Sequence, residues 1–177
     1  MNNQDVSSKD FVFDPMNDVA FKSLIRAEET RDIVIGVLSD ITPVKESELK
    51  NALFLGGEVP KEILKEKGMV SDVIVRVNDK NGIIIEANRQ YSKNLFDKNA
   101  SYAFKNSYME SNVGKREYHP VSLVSVDKEN VFDTDKPILV FQIQDEEGHI
   151  ETELYYSVHL ILENFQNLAY TISDRVR

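Results

Sequence analysis

No cysteine occurs among the 177 residues. Disulfide scaffolds, thiolate zinc sites and cysteine nucleophiles are excluded on that ground alone. No apolar run approaches the roughly 18–20 residues that span a bilayer, and the opening MNNQDVSSKDFVFD lacks the basic and apolar regions of a secretion signal. The expectation is a cytoplasmic protein with no membrane partner. Positive charge is scarce as well: 21 Lys and Arg stand against 30 Asp and Glu, a formal net charge of −9. Such a chain does not coat nucleic acid by bulk charge, although a bound divalent cation or a local basic strip still lets it meet phosphates. The GxGxxG, GxxxxGK[ST] and GxSxG patterns are missing, so Gly56-Gly57 reads as a turn and a serine triad has no support. Asp127–Asp135 carries alternate carboxylates without the glycine and terminal glutamate of a calcium loop, and reads as an exposed connection.

What is present suffices for a core: 41% of residues are apolar and 29% charged. Residues 1–13 read as a flexible segment and 14–177 as a single domain. Asn17 or Asp18 can cap a first helix whose apolar face is Val19, Ala20, Leu24 and Ile25, with Phe21 beside it. A second helix is expected over Glu28–Asp40, where Ile33, Val34, Val37 and Leu38 recur at helical spacing. From Ile41 to Lys67 the pattern is broken, and Lys61–Lys67 reads as a solvated face. Met69–Val77 and Ile83–Asn88 are rich in β-branched residues and flank an Asn-Gly turn signal, which predicts a β-hairpin. Ser92–Ser111 has helical spacing of Phe96, Ala100, Ala103, Phe104 and Tyr108. Val121–Val126 and Ile138–Ile143 are apolar enough for strands, and the period of two over Glu153–Glu163 favours a strand. The order implies a mixed α/β sheet flanked by helices.

Two acids stand on the two most apolar strands, Asp72 in VSDVIV and Glu86 in IIIEAN. A lone desolvated carboxylate is costly, so such placement asks for a partner. A three-residue loop pairing Asn78 with Gly82 would set Asp72 against Asn88 and Glu86 against Ile74. The acids are then diagonal neighbours on one face, roughly 7–8 Å apart, a gap one cation bridges. A two-residue Asn81-Gly82 loop would separate them to opposite faces. Two carboxylates beside a backbone carbonyl suit Mg²⁺, which prefers hard oxygen ligands and keeps several waters. The competing reading leaves both acids near strand ends, hydrated or paired with Lys or Arg.

Asp72, a hairpin, then Glu86-Ala87-Asn88 resembles the D…(D/E)-x-K core of the PD-(D/E)XK nucleases. The similarity is greatest to their transposase-like branch, the recombination-promoting nucleases. Asp18-Val19-Ala20-Phe21-Lys22 matches an opening D-x-x-F-K helix, Ser71-Asp72-Val73-Ile74-Val75 matches S/D-D-V-x-V, and Ile83–Asn88 matches I-x-I-E-x-Q in part. A helix with aromatic residues at Leu95–Tyr108 and a strand leading to an acid and Phe at Val158–Phe165 complete the resemblance, over about residues 14–165. It implies a restriction-endonuclease-like fold and a metal-dependent DNA endonuclease. Asp72, Glu86 and the Ala87 carbonyl would be ligands of Mg²⁺ or Mn²⁺, with Asn88 in the catalytic third position. It also implies DNA as partner, with a homodimer or protein partner to supply a basic surface. Asp18 is either an outer ligand or a helix cap.

The departures define an alternative. Asn88 stands where the family has Gln or Lys, Asn99 stands near a usual Arg, and family members continue with further helices beyond the point matching Arg177. Lys93 or Lys98 could supply the missing charge from the helix. Without it, the chain is a degenerate nuclease-like module for binding or regulation; an unrelated α/β domain with two incidental acids is the third reading. His119, His149 and His159 show no metal-ligand spacing and read as structural. Phe21, Phe96, Phe104 and Tyr108 read as core. Lys105, Lys115 and Arg116 read as a solvated face more readily than a phosphate contact.

Overall fold

A computed structural model describes residues 14, 16–56, 71–78, 80–109 and 119–165. The readings of residues 1–13, Lys61–Lys67, Gly57, Lys115 and Arg116 fall outside them. Helix α1 (Asp18–Arg26) is followed by a 3₁₀ turn (Glu28–Thr30), α2 (Arg31–Ile41) and α3 (Glu46–Leu49). Then come β1 (Leu53–Gly56), β2 (Val73–Val77), β3 (Lys80–Asn88), α4 (Leu95–Met109), β4 (Val121–Asp127), β5 (Ile138–Gln144) and β6 (Ile150–Ile161). The strands form one mixed sheet in the order β1-β2-β3-β4-β6-β5. β3, β4 and β6 run parallel; β1, β2 and β5 pair antiparallel to their neighbours. Parallel neighbours need a crossover, and α4 supplies it between β3 and β4.

Each face of the sheet carries its own apolar layer. Phe21, Ile35, Leu38 and Leu49 from α1–α3 pack on Val73, Val75, Ile83, Ile85 and Val124. On the opposite face Tyr102 and Ala103 of α4 pack on Ile84, Val121 and Leu123. This division follows from the pleat, since alternate residues of a strand leave opposite sides.

Several expectations need correction. Asn17, not Asp18, caps α1: its Oδ1 accepts from the Val19 and Ala20 N–H groups at 3.1 and 3.4 Å. The buried edge of α1 is Phe21, with Ile25 partly covered, while Val19 is 71% exposed. In α2 the buried residues are Ile35 and Leu38, and Ile33 and Val37 face outward, because α2 meets the sheet along a stripe rotated from the one the spacing suggested. Gly56 is a strand residue paired with Val73. Asp127 ends β4 and is buried, so the connection after β4 starts one residue later. Phe104 is half-exposed and stacks on Tyr155 at 5.3 Å between ring centroids.

The hairpin register also differs. Val77 pairs with Lys80 and Arg76 with Asn81, but Val75 pairs with Ile83, so Gly82 is an extra residue in a β-bulge. The positive φ of the turn sits at Asn78 (51°) rather than in Asn81-Gly82. Gly82 serves close approach instead: a Cβ there would lie 2.9 Å from Val77 Cγ2. Beyond the bulge Ile74 pairs with Ile84 and Val73 with Ile85. Carried one residue further, this register sets Asp72 opposite Glu86, so the acids share a face as directly opposed residues and not as diagonal ones. Without the bulge the tip register would run on and separate them.

Candidate active site

Asp72 and Glu86 meet at the end of the β2–β3 ladder, on the face covered by α4. The Asp72 N–H donates to Glu86 Oε1 at 3.3 Å, and the Ala87 N–H donates to Asp72 Oδ2 at 2.8 Å. The side chains thus replace the backbone acceptors that the ladder would have used next, which locks both carboxylates to the sheet. Glu86 is 2% exposed, while Asp72 is only partly covered.

Two lysines approach from the two helical layers. Lys98 of α4 places Nζ 3.4 Å from Glu86 Oε2 and 5.1 Å from the Tyr102 ring centroid. Lys22 of α1 places Nζ 3.4 Å from Asp72 Oδ1 and 2.7 Å from Asp18 Oδ1. The D-x-x-F-K segment is therefore legible as structure: Phe21 anchors the helix in the core, and the i,i+4 pair of Asp18 and Lys22 faces Asp72. The Lys22 hydrogen bond lowers the pKa of Asp18, and Asp18 in turn raises that of Lys22.

Burial pushes Glu86 up to about 7; Lys98 opposes the rise and the nearby Asp72 charge adds to it. One lysine therefore does not offset the desolvation of Glu86, and the pocket has a deficit of positive charge. Among the described residues no three or more His, Asp or Glu side chains gather as an all-side-chain metal site. The oxygens that could hold a metal are those of Asp72, Glu86 and the Ala87 carbonyl, all hard donors. That set fits a small divalent cation that retains waters, and the charge deficit at Glu86 favours one.

Asn88 shares the face of Glu86, two residues on along β3, but its amide is engaged elsewhere. Nδ2 donates to Ser125 Oγ at 2.7 Å and Asp127 Oδ1 at 2.9 Å, both on β4. Ser125 Oγ donates to the same Asp127 oxygen at 2.8 Å, and His159 Nδ1 lies 2.7 Å from Asp127 Oδ2. Asn99 of α4 donates to Ser125 Oγ at 3.3 Å and leaves its own Oδ1 buried without a partner. Sequence reasoning read Asp127 as the start of an exposed connection and His159 as structural, and linked neither to the acids. The signal that could have found Asp127 is the one that singled out Asp72 and Glu86, an acid attached to a buried apolar strand. Lys93 is exposed and stands outside the site's ion pairs. His119 contacts Lys80 at 3.3 Å and His149 contacts Asp145 at 2.8 Å, both away from the acids.

No described helix is long and apolar enough to cross a membrane. Searches of curated proteins and of solved structures return no match. A family model described as PD-(D/E)XK nuclease family transposase matches residues 15–161, a span that includes α1, the hairpin, both acids and every strand of the sheet. The chain belongs to the PD-(D/E)XK nuclease family transposases.

Proposed function

We propose that the protein is a divalent-metal-dependent DNA endonuclease whose site is Asp72, Glu86, the Ala87 carbonyl, Asn88 and Lys98. The observation that carries this reading is the meeting of Asp72 and Glu86 on one face with the Lys98 amine 3.4 Å from Glu86. PD-(D/E)XK nucleases generally use divalent metals, and Asp72, Glu86 and Ala87 offer the oxygens for Mg²⁺ or Mn²⁺. When bound, such an ion supplies Lewis acidity toward a phosphodiester and toward water. The chain's own residues divide the remaining work. Asp72 and Glu86 are held rigidly by main-chain N–H groups, so their oxygens need no reorganisation. Lys98 brings the positive charge that Asn88 lacks, from the helix rather than from the strand. Its ammonium would offset negative charge developing on a phosphate oxygen. Lys22 balances Asp72 on the opposite side and is paired with Asp18 as well.

With a net charge of −9, affinity for DNA rests on a bound divalent cation and on a dimer or protein partner that supplies a basic surface, and falls steeply with salt. The second reading, a binding module without catalysis, draws on the pairing of each acid with a lysine and on the engagement of Asn88 with β4.

Nicking of supercoiled plasmid at low salt with Mg²⁺ or Mn²⁺ tests the proposal. Cleavage that disappears with EDTA and in Asp72→Ala is the expected result. A folded protein that binds no divalent cation and leaves the plasmid intact would establish the module instead.

A further inference from the structure

Lys98 reaches Glu86 on a flexible four-carbon stem, and its side chain is 44% exposed. One ion pair at 3.4 Å does not hold such a stem in a single conformation, because ordering it costs rotamer entropy comparable to what an exposed pair gains. A charge on a strand residue is directed by the pleat, whereas one brought from a helix needs another guide. Catalytic use of the charge demands that guide, since a misplacement of about 1 Å is felt in the rate.

The next turn of α4 supplies it. Lys98 and Tyr102 stand at i and i+4 and share a face of the helix. Tyr102 is 6% exposed and lies in the apolar layer with Ile84, two residues before Glu86 on the same face of β3. Four helix residues rise about 6 Å and two strand residues about 6.6 Å. The seat of Tyr102 beside Ile84 therefore keeps Lys98 level with Glu86. Lys98 Nζ lies over the Tyr102 ring, 5.1 Å from its centroid, within the range at which a ring face attracts an ammonium. The ammonium is thus gripped at two points, the ring face and Glu86 Oε2. Burial holds the Tyr102 phenol above its ordinary pKa; Lys98 opposes the rise, and the Glu86 and Asp72 charges add to it. The phenol is therefore neutral, and what the ammonium meets is a ring face and not a phenolate.

We propose that Tyr102 is a positioning residue whose ring face holds the Lys98 ammonium beside Glu86. What this does for catalysis rests on the nuclease reading; the hold itself does not. The ring carries the effect and the hydroxyl does not, so phenylalanine replaces tyrosine here and an aliphatic side chain fails to.

Nuclear magnetic resonance on lysine-labelled protein tests the hold. One ε-methylene signal lies upfield of the other lysines, moved by the ring current; it is absent from Lys98→Met and relaxes as a more ordered group than exposed lysines do. In Tyr102→Leu the Lys98 signal moves to the ordinary lysine position and its order falls to that of exposed lysines, and Tyr102→Phe recovers both. Tyr102→Met fills the layer with a flexible apolar chain and carries the same comparison should Tyr102→Leu fail to fold, as the melting temperatures report. In plasmid nicking Tyr102→Leu lowers kcat by roughly tenfold with KM for DNA within about twofold, and Tyr102→Phe recovers the rate to within about twofold. A native Lys98 signal at the ordinary position, or as mobile as exposed lysines, overturns the proposal. So does a folded Tyr102→Leu with native Lys98 order or native kcat, and so does a Tyr102→Phe that loses as much as Tyr102→Leu. If the native protein fails to nick DNA yet shows the shifted, ordered Lys98 and its loss in Tyr102→Leu, the nuclease reading falls and the hold stands.

Discussion

Glu86 gives the most direct physical test of the site, because its charge state and the stability of the fold are linked. Burial raises its pKa to about 7, against 4.5 for an ordinary glutamate. Between those values the folded protein holds a proton on Glu86 that the unfolded chain has already released. The unfolded state thus binds fewer protons, and stability falls as pH rises through that window. At about 1.4 kcal/mol per unit of pKa, the full loss above pH 7 is about 3 kcal/mol. Glu86→Gln removes the ionisation and still offers a carbonyl to the Asp72 N–H. It should stabilise the protein by about 3 kcal/mol at pH 8 and by less than about 1 kcal/mol at pH 5. For a chain of this size 1 kcal/mol moves the melting temperature by about 2–4 °C, so the variant should melt about 6–12 °C above the native protein at pH 8 and within about 4 °C at pH 5. Scanning calorimetry of both proteins at both pH values makes the comparison. An equal gap at the two pH values, or native stability that rises from pH 5 to 8 by this group, would refute the reasoning.

Mg²⁺ at pH 8 should raise the melting temperature of the native protein and leave Glu86→Gln little changed, which differential scanning in the presence and absence of EDTA reports. Lys98→Met should lower plasmid nicking by roughly 100-fold or more, the scale on which a group that offsets transition-state charge acts, with the far-ultraviolet circular dichroism unchanged. Leu49→Ala, at a side chain with no exposed surface, should cost about 2–5 kcal/mol in urea unfolding. Asn17→Ala, which removes the α1 cap, should cost about 0.5–2 kcal/mol in the same assay.

How far the sequence foretold these features depends on the range of the interaction. The hairpin, α4 and the alternation of β6 rest on local periodicity, and they stand within a few residues of their expected limits. The meeting of Asp72 and Glu86 was legible in outcome but not in detail. Its register hangs on whether Gly82 is a turn residue or a bulge, and the clash a Cβ would make with Val77 is a tertiary fact. The helix faces were misjudged because several apolar stripes are available on α1 and α2, and only the sheet selects Phe21, Ile35 and Leu38. The Asn88–Ser125–Asp127–His159 network joins three strands across up to 71 residues of sequence. No spacing rule reaches that far. The contribution of Lys98 lay between: its helix was readable, its reach to Glu86 was not.

The bulge at Gly82 has one more consequence, for how the hairpin tolerates change. Pairing beyond it is held by Val73, Ile74 and Val75 against Ile85, Ile84 and Ile83, all buried, so the acids stay opposed through the apolar grip of those pairs. The turn at Asn78 lies outside that grip and is joined to it through a single unpaired residue. A loop grafted at the tip, whether by natural insertion or as a site for a reporter peptide, can take up its odd residue at the bulge and leave the acids where they are.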